Sequence, residues 1–120
     1  MEKGRIIIVE DEENILNMLT EFLSSNGYEV DPFNDSRKAL SALKNNGYHV
    51  LITDLMMPKV DGLQLINFIQ KEFIDTLGIV MTGYGSMESA ITAMRCGAFD
   101  YLLKPFKFEE VLATIDSAIY

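Results

Sequence analysis

The chain has 120 residues, 48% of them hydrophobic, which is enough for one domain with a single core. No apolar run reaches the roughly 20 residues that span a bilayer, and no signal-peptide pattern precedes the first β-type run, so we expect a soluble cytoplasmic protein without a membrane partner. The net charge of -8 argues against direct nucleic-acid binding by this segment, and the single cysteine, Cys96, excludes an internal disulfide and a thiolate metal site.

Two hydrophobic periodicities alternate along the chain. The β-branched run at 5–9 predicts a strand covered on both faces, and the acids after it open an amphipathic helix that has Asp11 as its N-cap and ends near Asn26-Gly27. An alternating run with an edge-compatible proline predicts a second strand at 28–32, and a short helix follows at 36–43. The later predicted elements are strands at 49–53, 78–82 and 99–103 and helices at 63–73, 86–95 and 108–119.

Five short strands alternating with five helices predict an α/β fold in one domain over residues 1–120. We expect a doubly wound, five-stranded parallel sheet of flavodoxin-like type, in the order 2-1-3-4-5, with helices on both faces. This order makes the first and third strands neighbours, so residues at their carboxyl ends converge on one edge of the sheet. Ligands bind at that edge in open α/β sheets.

Charged and polar residues stand at the predicted carboxyl ends of four strands. Asp54 ends the third strand, Glu10-Asp11 follows the first, and Thr82 and Lys104 end the fourth and fifth. Each could be an unrelated turn acid, cap or solvated lysine. Three crowded carboxylates instead favour a hard divalent cation such as Mg²⁺, and a lysine and a hydroxyl beside them suit a phosphate oxygen. The set therefore indicates a phosphoryl-transfer site with Asp54 as the nucleophile.

From residue 5 to its end the chain resembles the receiver domain of a two-component response regulator. The stretches 81–86 and 97–106 are most similar to the receivers of NtrC-type transcriptional activators. The motifs that carry the family resemblance are Glu10-Asp11, Asp54 with Met57-Pro58 and Gly62, Thr82-Gly83, and Tyr101 with Lys104-Pro105-Phe106.

The resemblance implies that Asp54 accepts a phosphoryl group from a sensor histidine kinase, so that the domain catalyses its own phosphorylation and is not a conventional enzyme. It also implies that Glu10, Asp11, Asp54 and the backbone carbonyl of Met56 help to hold Mg²⁺. Where the family more often has Asp, this chain has Glu10. Its longer side chain is expected to alter the surroundings of the metal without removing the charge.

The resemblance further implies how a signal is read out. Thr82 would bind the phosphoryl oxygens, Lys104 would bridge to them, and Tyr101 would report the change, although an aromatic on a strand is more often simple packing. The signal would leave through the face of helix four, strand five and helix five, toward an effector domain or protein that controls transcription, with a phosphorylation-dependent homodimer as a further state. Met56 and Tyr84 should flank the path of water to Asp54, and neither orients water well, so slow hydrolysis is expected.

Other functional classes fit the chain less well. A flavodoxin-like electron carrier needs a hydroxyl- and glycine-rich phosphate loop after strand one, where this chain has four consecutive acids. An independent phosphatase needs a proton donor or acceptor beside Asp54, but Leu55, Met56 and Met57 follow it. A degenerate receiver that docks without being phosphorylated remains an alternative.

Overall fold

The computed structural model describes residues 4–55, 62–72, 75–83 and 87–119. Strands and helices alternate in the predicted order, and no helix in these ranges is both long and apolar enough to cross a membrane. The elements are β1 (Arg5–Val9), α1 (Glu13–Ser25), β2 (Glu29–Phe33), α2 (Ser36–Asn45), β3 (Val50–Asp54), α3 (Gly62–Lys71), β4 (Leu77–Thr82), α4 (Met87–Arg95), β5 (Asp100–Leu103) and α5 (Phe108–Ile119).

The five strands form one parallel sheet in the order β2-β1-β3-β4-β5, which confirms the predicted α/β fold. The proline-containing strand β2 lies at an edge, where a missing backbone N–H does the least harm. Asp54 pairs in register with Met81, and Thr82 pairs with Leu103. The carboxyl ends of β1, β3, β4 and β5 are therefore brought side by side.

Each face of the sheet carries its own core, because side chains alternate between the faces along every strand. On one face α1 and α5 pack on Ile6, Ile8 and Ile52. On the other face α2, α3 and α4 pack on Ile7 and Leu51. All five of these strand residues are fully buried. The near-continuous apolar runs in the sequence are thus explained by helices covering both faces.

Two contacts tie α5 to the α1 side of the sheet. The rings of Phe22 and Phe108 stack with their centroids 4.9 Å apart. Tyr28 is a buried residue in the connection from α1 to β2. Its hydroxyl donates a hydrogen bond to Asp116 on α5. Helix α5 is therefore held by polar and aromatic contacts as well as by its buried aliphatic side chains.

A polar network closes the opposite, amino-terminal edge of the sheet. The guanidinium of Arg5 lies 4.9 Å from the ring centre of Tyr48 and 3.4 Å from the carboxylate of Asp31, which also accepts the Tyr48 hydroxyl at 2.6 Å. Burial, together with the hydrogen bond to Asp31, raises the pKa of Tyr48 to about 12. The exposed ring of His49 accepts a hydrogen bond from the backbone N–H of Arg5 at 3.0 Å.

Several predicted boundaries were wrong by a small amount. Helix α1 begins at Glu13 with Glu12 as its N-cap, so Asp11 is not the cap. The side-chain oxygen that binds a backbone N–H at this turn belongs to Glu10, which accepts from Glu12 at 3.2 Å. Strand β2 begins at Glu29 because the N–H of Tyr28 still bonds back to Leu23 of α1.

Candidate functional site

Asp54 lies at the carboxyl end of β3 with only 8% of its surface exposed. The backbone around it is fixed on both sides. The N–H of Leu55 bonds to the carbonyl of Met81 at 2.8 Å, and the N–H of Gly62 bonds to the carbonyl of Leu55 at 3.1 Å. A Cβ added at Gly62 would lie 2.3 Å from the carbonyl oxygen of Asp54, so only glycine fits where α3 begins.

Glu10 and Asp11 come beside Asp54 because β1 is the direct neighbour of β3. One carboxylate oxygen from each of the three residues can be chosen so that all three lie within 4.8 Å of one another. Glu10 is fully buried, whereas Asp11 is exposed. Such a set of hard oxygen ligands open to solvent on one side suits Mg²⁺, which keeps several of its waters when bound to protein.

Lys104 places a cation between two of these carboxylates. Its backbone N–H bonds to the carbonyl of Thr82 at 2.8 Å, which positions the side chain at the end of β4. Its Nζ lies 3.0 Å from Oδ2 of Asp54 and also donates to Oε1 of Glu10. The ammonium group therefore bridges the first and third strands of the chain.

The site perturbs the protonation of both Glu10 and Lys104. Burial raises the pKa of Glu10 to about 7, and Asp54 adds to that effect while the hydrogen bond from Lys104 opposes it. Burial would lower the pKa of Lys104, but its hydrogen bonds to Glu10 and Asp54 raise it above the ordinary value. Asp54 thus disfavours the charged form of Glu10 and favours the charged form of Lys104.

Thr82 lies one residue beyond Met81, the register partner of Asp54, and is buried at the end of β4. Tyr101 sits on the neighbouring strand β5 with 38% of its surface exposed. Met56, whose carbonyl was predicted to help hold Mg²⁺, and Tyr84, predicted to shield the site, lie outside the described residues.

One feature beside the site was not anticipated. A cavity of about 420 Å³ lies between α1 and the segment after β5, has Lys104 among its lining residues, and has mainly apolar walls. The helical spacing of the apolar residues of α1 predicts a core position for Met18, yet this side chain is 53% exposed in the groove. The helical spacing of Ile15 and Met18 gave no hint, because the gap depends on the path of a distant segment. The remaining residues lining the groove are Glu12, Pro105, Phe106 and Phe108.

Comparisons with known proteins agree with this arrangement. The family model for the response regulator receiver domain matches residues 6–116. The regulatory protein AtoC of Escherichia coli (strain K12) is 36% identical over 116 residues, which are 97% of this chain and 25% of AtoC. YkoG of Bacillus subtilis (strain 168), described as an uncharacterized transcriptional regulatory protein, is 38% identical over 99% of this chain and 52% of its own length.

A solved structure leads to the same family. The solution structure of the beryllofluoride-activated NtrC4 receiver domain dimer matches with a TM-score of 0.90 and 37% identity, covering 96% of this chain and 95% of that one. The chain thus spans about a quarter to a half of its curated relatives but nearly all of an isolated receiver domain. The chain belongs to the family of response regulator receiver domains, as the motifs in its sequence predicted.

Proposed function

We propose that this domain takes a phosphoryl group from a sensor histidine kinase onto Asp54 in a Mg²⁺-dependent reaction. The observation that carries the proposal is the placement of Lys104 against Asp54 and Glu10, with Asp11 alongside. A nucleophilic carboxylate needs nearby positive charge, because both it and the incoming phosphoryl group are anionic. Membership of the receiver family supports the same reaction.

The carboxylates of Glu10, Asp11 and Asp54, together with the backbone carbonyl of Met56, would hold the metal. The donor set is all oxygen and carries formal charge -3, which suits a hard divalent ion better than a soft one. When bound, Mg²⁺ supplies positive charge that offsets the charge of the phosphoryl oxygens during transfer.

The residues of the chain have separate roles in the transfer. An oxygen of Asp54 attacks the phosphorus, so a P–O bond forms while the P–N bond of the kinase's phosphohistidine breaks and its electron pair returns to the imidazole nitrogen. Lys104, already at hydrogen-bond distance from Asp54, would donate to the transferred group. Thr82, at the end of the next strand, would donate a hydrogen bond from its hydroxyl group to another phosphoryl oxygen.

The groove between α1 and the segment after β5 is where we place the kinase. It is mainly apolar, and one of its lining residues is Lys104, which contacts Asp54. A helix docked along Ile15 and Met18 would therefore lie next to the phosphoacceptor. Its apolar side would cover surface that is otherwise in contact with water.

The output surface is proposed to be the face of α4 and β5, with α5 at its border. Four apolar or aromatic side chains on this face are between 38% and 45% exposed, and exposed apolar side chains that lie together are typical of interaction surfaces. If Thr82 moves toward a phosphoryl group, the space it leaves can admit Tyr101 and change this face. The outcome would be contact with a transcriptional effector or with a second copy of the domain. The four side chains are Ile91, Met94, Tyr101 and Leu103.

The test is the intact mass of the protein after incubation with Mg²⁺ and a small phosphodonor. Wild type should gain one phosphate, and chelation of the metal should prevent it. Asp54→Asn should gain none, whereas Asp75→Asn, an exposed aspartate just before β4, should behave like wild type. Equal uptake by Asp54→Asn, or no uptake by wild type, would show that the proposal is wrong.

A further inference from the structure

Glu10 is bound at both carboxylate oxygens by other parts of the protein. Oε1 accepts a hydrogen bond from the ammonium group of Lys104, and Oε2 accepts one from the backbone N–H of Glu12 at 3.2 Å. Its own backbone N–H bonds to the carbonyl of Phe33 in β2 at 3.0 Å. The side chain is completely buried, so solvent cannot replace either donor without a rearrangement.

These contacts depend on the length of the glutamate side chain. One oxygen reaches across β3 to a lysine that follows β5, and the other reaches forward to the N-cap residue of α1. An aspartate is shorter by one carbon–carbon bond of about 1.5 Å, so from the same backbone it would lose at least one of the two donors. Charge and length are therefore separable properties of this residue.

Lys104 is shared between Glu10 and Asp54, and Asp54 is also the residue that the metal and the phosphoryl group must reach. While the ammonium is held beside Asp54 by two carboxylates, it repels any incoming cation and occupies oxygens that the cation would use. The stability of this ion-paired arrangement thus opposes metal binding.

We propose that Glu10 is a positioning residue that holds Lys104 against Asp54 and so limits the Mg²⁺ affinity of the resting site. This inference rests on the proposed function, since it assumes that Mg²⁺ binds at Asp54. Glu10 contributes negative charge that attracts Mg²⁺. Its length also lets it retain the ammonium group of Lys104, which competes with Mg²⁺ for Asp54.

The test compares two substitutions that separate length from charge. Glu10→Asp keeps the charge but cannot hold both Lys104 and the Glu12 N–H, so it should bind Mg²⁺ roughly threefold or more tightly than wild type, within the range of couplings seen between residues in contact. Glu10→Gln removes the charge and should bind Mg²⁺ more weakly. The measurement is calorimetric titration of the metal-free protein with MgCl₂ alone, and thermal unfolding checks that each variant is folded.

A double-mutant cycle with Lys104→Met shows whether Glu10 acts through the lysine. In the Lys104→Met background, Glu10→Asp should have no further effect on the Mg²⁺ dissociation constant. An equal gain with and without Lys104, or no gain in either background, would overturn the inference while leaving the proposed function intact. Failure of the wild-type protein to bind Mg²⁺ at all would instead overturn the proposed function.

Discussion

The three clustered carboxylates of Glu10, Asp11 and Asp54 should destabilise the metal-free protein. The substitution Asp11→Asn measures how much free energy of unfolding this repulsion costs. Two unit charges 4.8 Å apart repel each other by about 0.9 kcal/mol in water and by about 3.5 kcal/mol at an effective dielectric constant of 20. At a pH above 7, where Glu10 is mostly ionised, Asp11 lies beside two negative charges, those of Glu10 and Asp54, and Lys104 cancels about one of them. Because Asp11 is exposed and screened, the lower figure applies. Neutralising it should raise the free energy of unfolding by about 1 kcal/mol.

The assay is urea denaturation in EDTA and again in Mg²⁺. At ten times its dissociation constant, Mg²⁺ should stabilise wild type by about 1.4 kcal/mol. This gain should largely disappear in Asp11→Asn. Glu13→Gln is the matched control, since it removes one exposed acid that lies in the first turn of α1 and accepts a hydrogen bond from Asn34.

In EDTA the free energy of unfolding of the control should fall by up to about 1 kcal/mol, because an acid in the first turn interacts favourably with the helix dipole. The control should keep the full stabilisation by Mg²⁺. If Asp11→Asn is no more stable than Glu13→Gln in EDTA, or if Mg²⁺ stabilises Asp11→Asn as much as wild type, then Asp11 does not share a metal site with Glu10 and Asp54.

Three further predictions concern stability at high pH, signal output and phosphoryl lifetime. Because burial and the bond to Asp31 raise the pKa of Tyr48 from 10 to about 12, its contribution to stability is full below pH 10 and is lost as the pH rises through 12. Relative to Tyr48→Phe, wild type should therefore lose about 2 to 3 kcal/mol over that interval in denaturant titrations, and parallel curves would contradict this. Thr82→Ala should still be phosphorylated but should not change its self-association on sizing chromatography, and a wild-type response would refute the proposed route. Met56→Asn combined with Tyr84→Ser should shorten the phosphoryl lifetime roughly tenfold by admitting an attacking water, and equal decay of intact mass in both proteins would refute slow switching.

The fold was predictable because the hydrophobic pattern, the number of strands and the position of Pro32 all indicate the same architecture. The run at 5–9 is apolar without alternation, which occurs when helices cover both faces of a strand, and both cores use it. Strand order followed from the strand count and from Pro32, which suits an edge. Placing Asp54 beside Glu10 and Asp11 required only that order, since adjacent parallel strands end together.

The details that were missed depend on contacts between residues far apart in the chain. Asp11 has the right type for an N-cap, but the Glu12 N–H bonds to Glu10, whose other oxygen is held by Lys104, 94 positions away. Met18 has the right spacing for the core, but no side chain from the segment after β5 covers it. Local rules describe one element at a time, and neither of these features is local.

The close contact between Gly62 and the backbone of Asp54 couples the start of α3 to the candidate site. The hydrogen bond from Gly62 to Leu55 joins the two ends of residues 56–61, and the missing Cβ lets α3 start directly against β3. A side chain at position 62 would meet the carbonyl oxygen of Asp54 at 2.3 Å, so α3 could not begin where it does. A substitution at the start of this helix would therefore be transmitted to the candidate site through the backbone alone.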